Sequence, residues 1–524
     1  MSTRDAGLER LRTNERWEVL VIGGGATGLG TAVDAASRGY RTLLLEAHDF
    51  AKGTSSRSTK LIHGGVRYLA QGNVGLVREA LRERGRLFKN APHLVHDRQF
   101  LIPAYRFGER PHYAIGLWLY DRLAGKLAIG GSRMIGRDAA LALVPTLEPK
   151  NLRGGVVYHD GQFDDARLAI SLFRTIEDHG GTALNGIAVT GLLKNKADKV
   201  VGVRATDAET GEVFEIEAQG VVNATGVFAD EIRRLDEPRA APMIAPSQGA
   251  HIVLDRSFLP GETAVLVPKT DDGRVVFAIP WHDKVLIGTT DTPVNGTSTE
   301  PAPLREEIDF LLRHAALYLS RDPKREDVLS TFAGLRPLIA RGKSTRTASL
   351  SREHAVVVSA SGMLTITGGK WTTYRLMGEN AVDVLADSTM LDARRCRTAE
   401  LRLHGWSETV RHDSFQVYGS DAEAVAKTCK ERPGRDALLH PRLPYRVGEV
   451  AWAVRKEAAR SVEDVLARRL RALFLDARAA IDVAENVATI VGEELGRDQS
   501  WRDQQVEMFN TLAEGYLLPP NSST

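Results

Sequence analysis

Two short apolar runs near the amino end, Val19-Leu-Val-Ile22 and Thr42-Leu-Leu-Leu45, are continuous rather than alternating. That is the pattern of strands buried on both faces, and the stretch between them is compatible with a helix. The first run ends on Gly23-Gly-Gly-Ala-Thr-Gly28 and the second on Glu46. Gly23, Gly25 and Gly28 stand in GxGxxG register: the first allows a tight turn, the second lets backbone approach a pyrophosphate, and the third lets helix pack on strand. The helix amino end attracts the phosphate charge, and Glu46, about twenty residues on, is placed to bind a ribose hydroxyl. Strand, helix, strand and acid together predict a dinucleotide site. They do not separate a nicotinamide from a flavin.

Later runs have a different character. Val275-Val-Phe-Ala-Ile-Pro280 and Lys284-Val-Leu-Ile-Gly288 are rich in β-branched and aromatic residues and bounded by turn formers, which predicts an antiparallel sheet. From about residue 395 the period turns helical. Ser461-Val-Glu-Asp464 has the form of a capping box with Asp in place of Glu, and Val462, Val465, Leu466, Leu470, Leu473 and Phe474 recur at helical spacing. The expectation there is an ordinary core helix with its arginines on a solvated face. Tyr113-Ala-Ile-Gly-Leu-Trp-Leu-Tyr-Asp-Arg-Leu-Ala-Gly-Lys126 is apolar and aromatic with basic residues around it. It reads equally as an interfacial membrane segment or as a buried helix.

Composition narrows the classes. A chain of 524 residues holds two or three domains and buries a large core. Its 69 basic residues against 67 acidic give no reason to expect nucleic acid. Cys396 and Cys429 are the only cysteines; their spacing matches no zinc pattern, so no metal is expected, and a reducing compartment is. The charged stretch from Met1 to Trp17 lacks the apolar core of a signal peptide, and no apolar run reaches the length of a spanning helix. The expectation is a soluble or peripheral protein.

The segment from Glu46 through Gly53-Thr-Ser-Ser-Arg-Ser58 to Lys60-Leu-Ile-His-Gly-Gly-Val-Arg-Tyr-Leu69 resembles the first block of the FAD-dependent, quinone-linked glycerol-3-phosphate dehydrogenases. Asp164-Asp-Ala-Arg-Leu168, Val221-Val-Asn-Ala-Thr-Gly226, Gly249-Ala-His-Ile-Val253, Phe277-Ala-Ile-Pro-Trp281, Ile287-Gly-Thr-Thr-Asp-Thr292, Ala333-Gly-Leu-Arg-Pro-Leu338, Leu350-Ser-Arg-Glu-His354 and Gly368-Gly-Lys-Trp-Thr-Thr-Tyr-Arg375 agree with the family in order. The resemblance implies an α/β fold with a Rossmann-like FAD-binding domain of the D-amino-acid-oxidase/glutathione-reductase type. That domain is discontinuous, over 17–80, 155–235 and 355–390. An antiparallel-sheet substrate domain covers 81–154 and 236–354, and a helical C-terminal domain covers 395–524.

It implies FAD as cofactor, held by Gly23, Gly25, Gly28, Glu46, Thr54, Ser55, Ser56, His63, Gly64, Gly226, Gly368 and Gly369. Arg67, Arg352 and Lys370 would bind the phosphate of sn-glycerol 3-phosphate, a task for which arginine's planar fork suits two oxygens at once, and Tyr68 would also face the substrate. His251 would take the hydroxyl proton, with His63 as competitor among fourteen histidines, and Arg336 would stabilise the developing alkoxide. Trp281, Trp371 and Tyr374 read as core or pocket-wall aromatics. The product would be dihydroxyacetone phosphate, with electrons passing to a membrane quinone. The alternative is a glycerol-3-phosphate oxidase that uses oxygen and releases hydrogen peroxide. The quinone reading carries a cytoplasmic, peripheral position on the inner face of the cell membrane, against an anionic lipid surface; the oligomeric state is open, a homodimer included. A nicotinamide-linked dehydrogenase would have no reason to carry Ala224-Thr-Gly226 and Gly368-Gly-Lys370, and a non-catalytic flavin binder no need of Arg67, His251, Arg336 and Lys370 together.

Overall fold

A computed structural model describes residues 3–13, 15–66, 69, 72–271, 273–340 and 354–519. The first sheet is built on the opening strand Trp17–Ile22. It pairs in parallel with Thr42–Leu45 on one side and with Val213–Asn223 on the other, so Ile22 lies level with both Leu45 and Asn223. Among the described residues the strand order runs His354–Val358, Leu364–Gly368, Val213–Asn223, Trp17–Ile22, Thr42–Leu45, Thr182–Leu184. The central strand is buried at five of its six positions, as its continuous apolar run predicts. Helix Ala26–Ser37 packs on this sheet beside helices Asp165–Asp178 and Tyr374–Ser388. Because the chain leaves the central strand between two parallel neighbours, the carboxyl ends of the strands open a crevice there, at the topological switch point.

The second sheet has ten strands among the described residues. The two runs read as antiparallel strands form a hairpin, Val276–Trp281 with Lys284–Gly288, closed by Trp281 opposite Lys284. The longest pairing joins Ile244–Asp255 to Val328–Ile339. Gly155–Phe163, grouped from the sequence with the cofactor segments, instead runs in this sheet, paired along its whole length with Val95–Pro103. The chain crosses back to the first sheet only at Asp164, which caps helix Asp165–Asp178 by accepting the Arg167 N–H.

Beyond residue 420 the described chain is helical, with helices Ala422–Lys430, Val447–Lys456, Ala484–Leu495 and Gln499–Glu514. The last three close their apolar faces over Val253, Trp281, Leu286 and Phe332 of the second sheet in one core cluster, while Ala422–Lys430 packs separately, with Val425 and Cys429 against Tyr418 and Trp452. No described helix is long and apolar enough to cross a membrane.

Candidate functional site

A cavity of about 1070 Å³ lies at the switch point and extends under the second sheet. Its nucleotide end is built as the glycine spacing predicts. Gly23 sits at φ 108°, a conformation that favours glycine, and its N–H donates to the Leu45 carbonyl at 2.8 Å. A Cβ on Gly28 would stand 1.8 Å from the Gly23 carbonyl oxygen, so this position serves helix-on-strand packing and does not line the cavity. Gly25 lines it, and the Ser55 hydroxyl accepts the Ala26 N–H at 2.9 Å across the helix amino end. Glu46 accepts the Gly24 N–H at 2.6 Å and the His48 N–H at 2.9 Å. Burial pushes its carboxyl upward, against those two bonds. Gly226, Gly368 and Gly369 line the far wall at φ 62°, 83° and 69°.

This cradle fits a flavin dinucleotide. The positive-φ glycines bring backbone to the cavity surface, the cavity is long, and its lining passes from the phosphate turn to Arg336 and Lys370. Thr54 and His63 line it as expected, with the Thr54 hydroxyl donating to the Leu335 carbonyl at 2.5 Å. Two expected cofactor residues are placed otherwise. The Ser56 side chain is buried behind the cavity wall and its carbonyl receives Lys60 and Arg471. Gly64 is also outside the lining, its N–H donating to the Tyr120 hydroxyl at 2.7 Å, while the neighbouring Gly65 faces the cavity.

At the other end, His251 and Arg336 come from the paired strands Ile244–Asp255 and Val328–Ile339. Glycines make room for both. A Cβ on Gly288, directly opposite His251, would stand 2.1 Å from the imidazole, and one on Gly249 would stand 2.4 Å from an Arg336 nitrogen. The His251 ring stacks on Phe332, its Nε2 lies 2.9 Å from the Thr59 hydroxyl, and its Nδ1 meets no hydrogen-bond partner among the described residues. Burial, with Lys60 and Arg336 nearby, holds its pKa well below the usual histidine value, so the ring is neutral. Arg336 donates to the Thr290 carbonyl at 2.9 Å and the Thr289 hydroxyl at 3.1 Å, and pairs with the buried Asp291 at 3.3 Å. Lys370 lines the same cavity, as does Trp371, whose indole donates to the Ser55 carbonyl at 2.8 Å. Trp281 and Tyr374 are buried outside the lining. Arg67, Tyr68 and Arg352 lie outside the described residues.

Two features were not expected. The arginines of the 461–474 segment are not solvated: Arg468, Arg469 and Arg471 are each at most 2 % exposed. The predicted capping box forms, with reciprocal 3.0 Å bonds between Ser461 and Asp464, but the chain then winds as a wide π turn over Asp464–Arg469. The extra residue in that turn lets both Arg468 and Arg469 reach Asp49. Arg471 donates to the Ser56 carbonyl at 2.8 Å and to Asp165 at 3.1 Å. Lys60, fully buried, shares Asp165 at 2.7 Å, and burial lowers its pKa to about 7. The C-terminal helices thus grip the loop after Glu46 from behind. The only trace of this in the sequence is acids and arginines in distant blocks, a pattern that spacing cannot pair.

The second concerns helix Glu109–Ala124. Leu117 and Tyr120 are buried, whereas Ile115, Trp118 and Leu119 are 70 %, 56 % and 41 % exposed, and Phe107 just before it is 92 % exposed. The helix is therefore neither wholly core nor wholly surface. Ile115 and Leu119 also line the cavity, which continues to this helix past Leu266, Val275 and Phe277.

Comparisons with known proteins agree with this architecture. Residues 18–375 match the family of FAD dependent oxidoreductases, and residues 362–502 match the C-terminal domain of alpha-glycerophosphate oxidase. The chain is 40% identical over 547 residues to a probable mitochondrial glycerol-3-phosphate dehydrogenase of Caenorhabditis elegans, covering 98% of this chain and 75% of the relative. The human mitochondrial glycerol-3-phosphate dehydrogenase is 39% identical over 541 residues, covering 96% and 74%. The glycerol-3-phosphate dehydrogenase from Bacillus halodurans, solved with FAD, superposes with a TM-score of 0.81 at 30% identity over 100% of both chains. The L-alpha-glycerophosphate oxidase of Mycoplasma pneumoniae shares the fold at TM-score 0.57 and 20% identity, over 71% of this chain and 95% of its own. The fold and cavity are thus those of an FAD-dependent oxidoreductase. Within that class, the chain belongs to the glycerol-3-phosphate dehydrogenase family.

Proposed function

We propose that this protein oxidises sn-glycerol 3-phosphate to dihydroxyacetone phosphate and delivers the electrons to a membrane quinone. The supporting observation is the meeting of His251, Arg336 and Lys370 in one cavity with the nucleotide turn. Bound FAD supplies the hydride acceptor. His251, a neutral ring hydrogen-bonded through Nε2 to the Thr59 hydroxyl, takes the proton of the secondary hydroxyl. Arg336, held by Thr289, Thr290 and Asp291, fixes a positive charge where the alkoxide develops. Lys370 contributes charge to the phosphate, joined by Arg67 and Arg352 through the family resemblance, which also sets Tyr68 against the substrate.

Quinone as acceptor is supported by the apolar arm of the cavity, which ends at a helix bearing exposed Ile115, Trp118 and Leu119. Such a face suits the interface of an anionic lipid layer, peripheral to the membrane. Anaerobic titration tests the reading. Glycerol 3-phosphate should bleach the oxidised flavin band, and glycerol should not, because it forfeits charge-assisted bonds of roughly 1.5–3 kcal/mol each. Comparable kcat/KM for the two would overturn the assignment. Reoxidation in air as fast as reduction, with peroxide released, would instead identify an oxidase.

A further inference from the structure

The turn between strands Ala264–Val267 and Val276–Trp281 carries Arg274 to the cavity wall. We infer that Arg274 is a specificity-determining residue that recognises the substrate's phosphate, next to the Arg336 that faces its hydroxyl. The inference rests on the proposed reaction and adds to it a cation that belongs to none of the family-like blocks of the sequence.

Position is the first argument. Arg274 Nη1 donates to the Asp291 carbonyl at 2.5 Å, and Arg336 Nη2 donates to the Thr290 carbonyl at 2.9 Å. Two guanidinium groups therefore converge on consecutive carbonyls of one segment, and both line the cavity. The Asp291 side chain, 5 % exposed, accepts from Ser247 and Arg336, which fixes the segment that both arginines use. Anchored beside the Arg336 that meets the hydroxyl, the planar Arg274 fork suits the oxygens of the adjacent tetrahedral dianion in both charge and geometry.

Preorganisation is the second. A cation on a loose hairpin tip would lose much of its binding energy in ordering, but this tip is tied down. The Thr270 hydroxyl accepts the Arg274 N–H and donates to the Arg274 carbonyl, both at 2.9 Å. Asp271, next to Thr270, is held from helix Arg305–Ala316: buried His314 accepts the Asp271 N–H through Nε2 at 3.1 Å, and Arg313 pairs with the Asp271 carboxylate at 2.8 Å. His314 is fixed in turn by the Phe310 carbonyl at 2.8 Å from Nδ1. A buried histidine and a closed hydroxyl turn thus set the direction in which Arg274 leaves the strand.

Location is the third. Arg274, Val275 and Phe277 all line the cavity, so the cation borders an apolar stretch of the lining.

The test uses the FAD-loaded full chain and two variants, Arg274→Gln and Arg274→Lys. Inorganic phosphate serves as a probe that needs no turnover, read by its perturbation of the oxidised flavin spectrum. Arg274→Gln should raise both KM for glycerol 3-phosphate and the phosphate dissociation constant about tenfold or more, with kcat and the thermal midpoint near wild type. Arg274→Lys, which keeps a point charge without the fork, should fall between. If both constants stay within twofold of wild type in Arg274→Gln, or if kcat falls while both hold, the inference is wrong. An unfolded Arg274→Gln accompanied by a folded Arg274→Lys with wild-type constants also overturns it. Failure of glycerol 3-phosphate to bleach the wild-type flavin overturns the proposed reaction instead, and phosphate binding then still reports on Arg274.

Discussion

Arg469 chelates Asp49, with Nη2 on Oδ1 at 2.9 Å and Nη1 on Oδ2, so a residue from the C-terminal helices holds the loop after Glu46. Arg468 reaches the same carboxylate. Burial opposes ionisation of Asp49, but the two arginines overcome it and hold its pKa well below the usual carboxylate range. Removing one partner leaves an uncompensated buried charge, so Arg469→Gln should cost about 3–5 kcal/mol of unfolding free energy and loosen flavin retention. Measuring chemical denaturation alongside the fraction of flavin lost on gel filtration checks both; a variant that retains wild-type stability and full flavin would show that the clasp is not what holds the loop. Because the Asp49 pKa is depressed on folding, its contribution is present above the unfolded carboxylate range near about 4 and is lost as pH falls below it.

Glu46 itself accepts two backbone N–H groups of the turn it faces, from Gly24 and His48. Glu46→Arg would replace an acceptor by a donor against those same N–H groups and put a cation where a ribose hydroxyl is expected. The protein should purify yellow, and this variant should lose most of its FAD. Full occupancy, measured by absorbance after denaturation, would remove Glu46 from the cofactor site.

How far the chain could be read without a structure depends on the range of each interaction. The opening strand-turn-helix and the hairpin around Trp281 and Lys284 are local, and their signals lie in contiguous residues. The Ser461–Asp464 capping box was legible for the same reason, since its two partners are three residues apart. The π turn beyond it was not. Helical spacing assigns Arg468 and Arg469 to a polar face, and a face is solvated only when nothing charged packs on it; Asp49 lies 419 residues away in sequence from Arg468. The roles of Gly249 and Gly288 were likewise hidden, since each makes room for a side chain on a neighbouring strand, Arg336 and His251 respectively. Spacing along one strand does not report what crosses from the next.

His404 supplies a pH-dependent tether between the helix Asp165–Asp178 and the C-terminal part, with Asp178 at 2.8 Å on Nδ1 and Asp421 at 2.9 Å on Nε2. Burial favours the neutral ring, but the two carboxylates outweigh it and raise the pKa to about 9. A pKa raised on folding stabilises fully below the unfolded value near about 6.5 and is lost as pH rises through about 9. Between pH 7 and 10 the wild type should therefore lose about 2 kcal/mol that His404→Gln does not. Parallel denaturation curves for the two proteins across that range would rule this tether out.

The exposed face of helix Glu109–Ala124 bears on the electron acceptor. Trp118 stands out from it with the Arg122 guanidinium 4.7 Å over its ring, and Leu119 both faces solvent and lines the cavity. An aromatic beside a cation on an apolar surface suits a lipid headgroup layer, where apolar contact and attraction to anionic lipid add. The wild type should sediment partly with anionic vesicles, and salt should weaken that binding without abolishing it. Trp118→Ser combined with Leu119→Ser should reduce vesicle binding and quinone-coupled turnover while turnover with a soluble dye stays near wild type, since His251 and Arg336 lie on other elements. Equal loss of dye turnover would mean that these two side chains support the cavity wall and not a membrane contact, and the route for a lipid-soluble acceptor would then have to be sought elsewhere along the cavity.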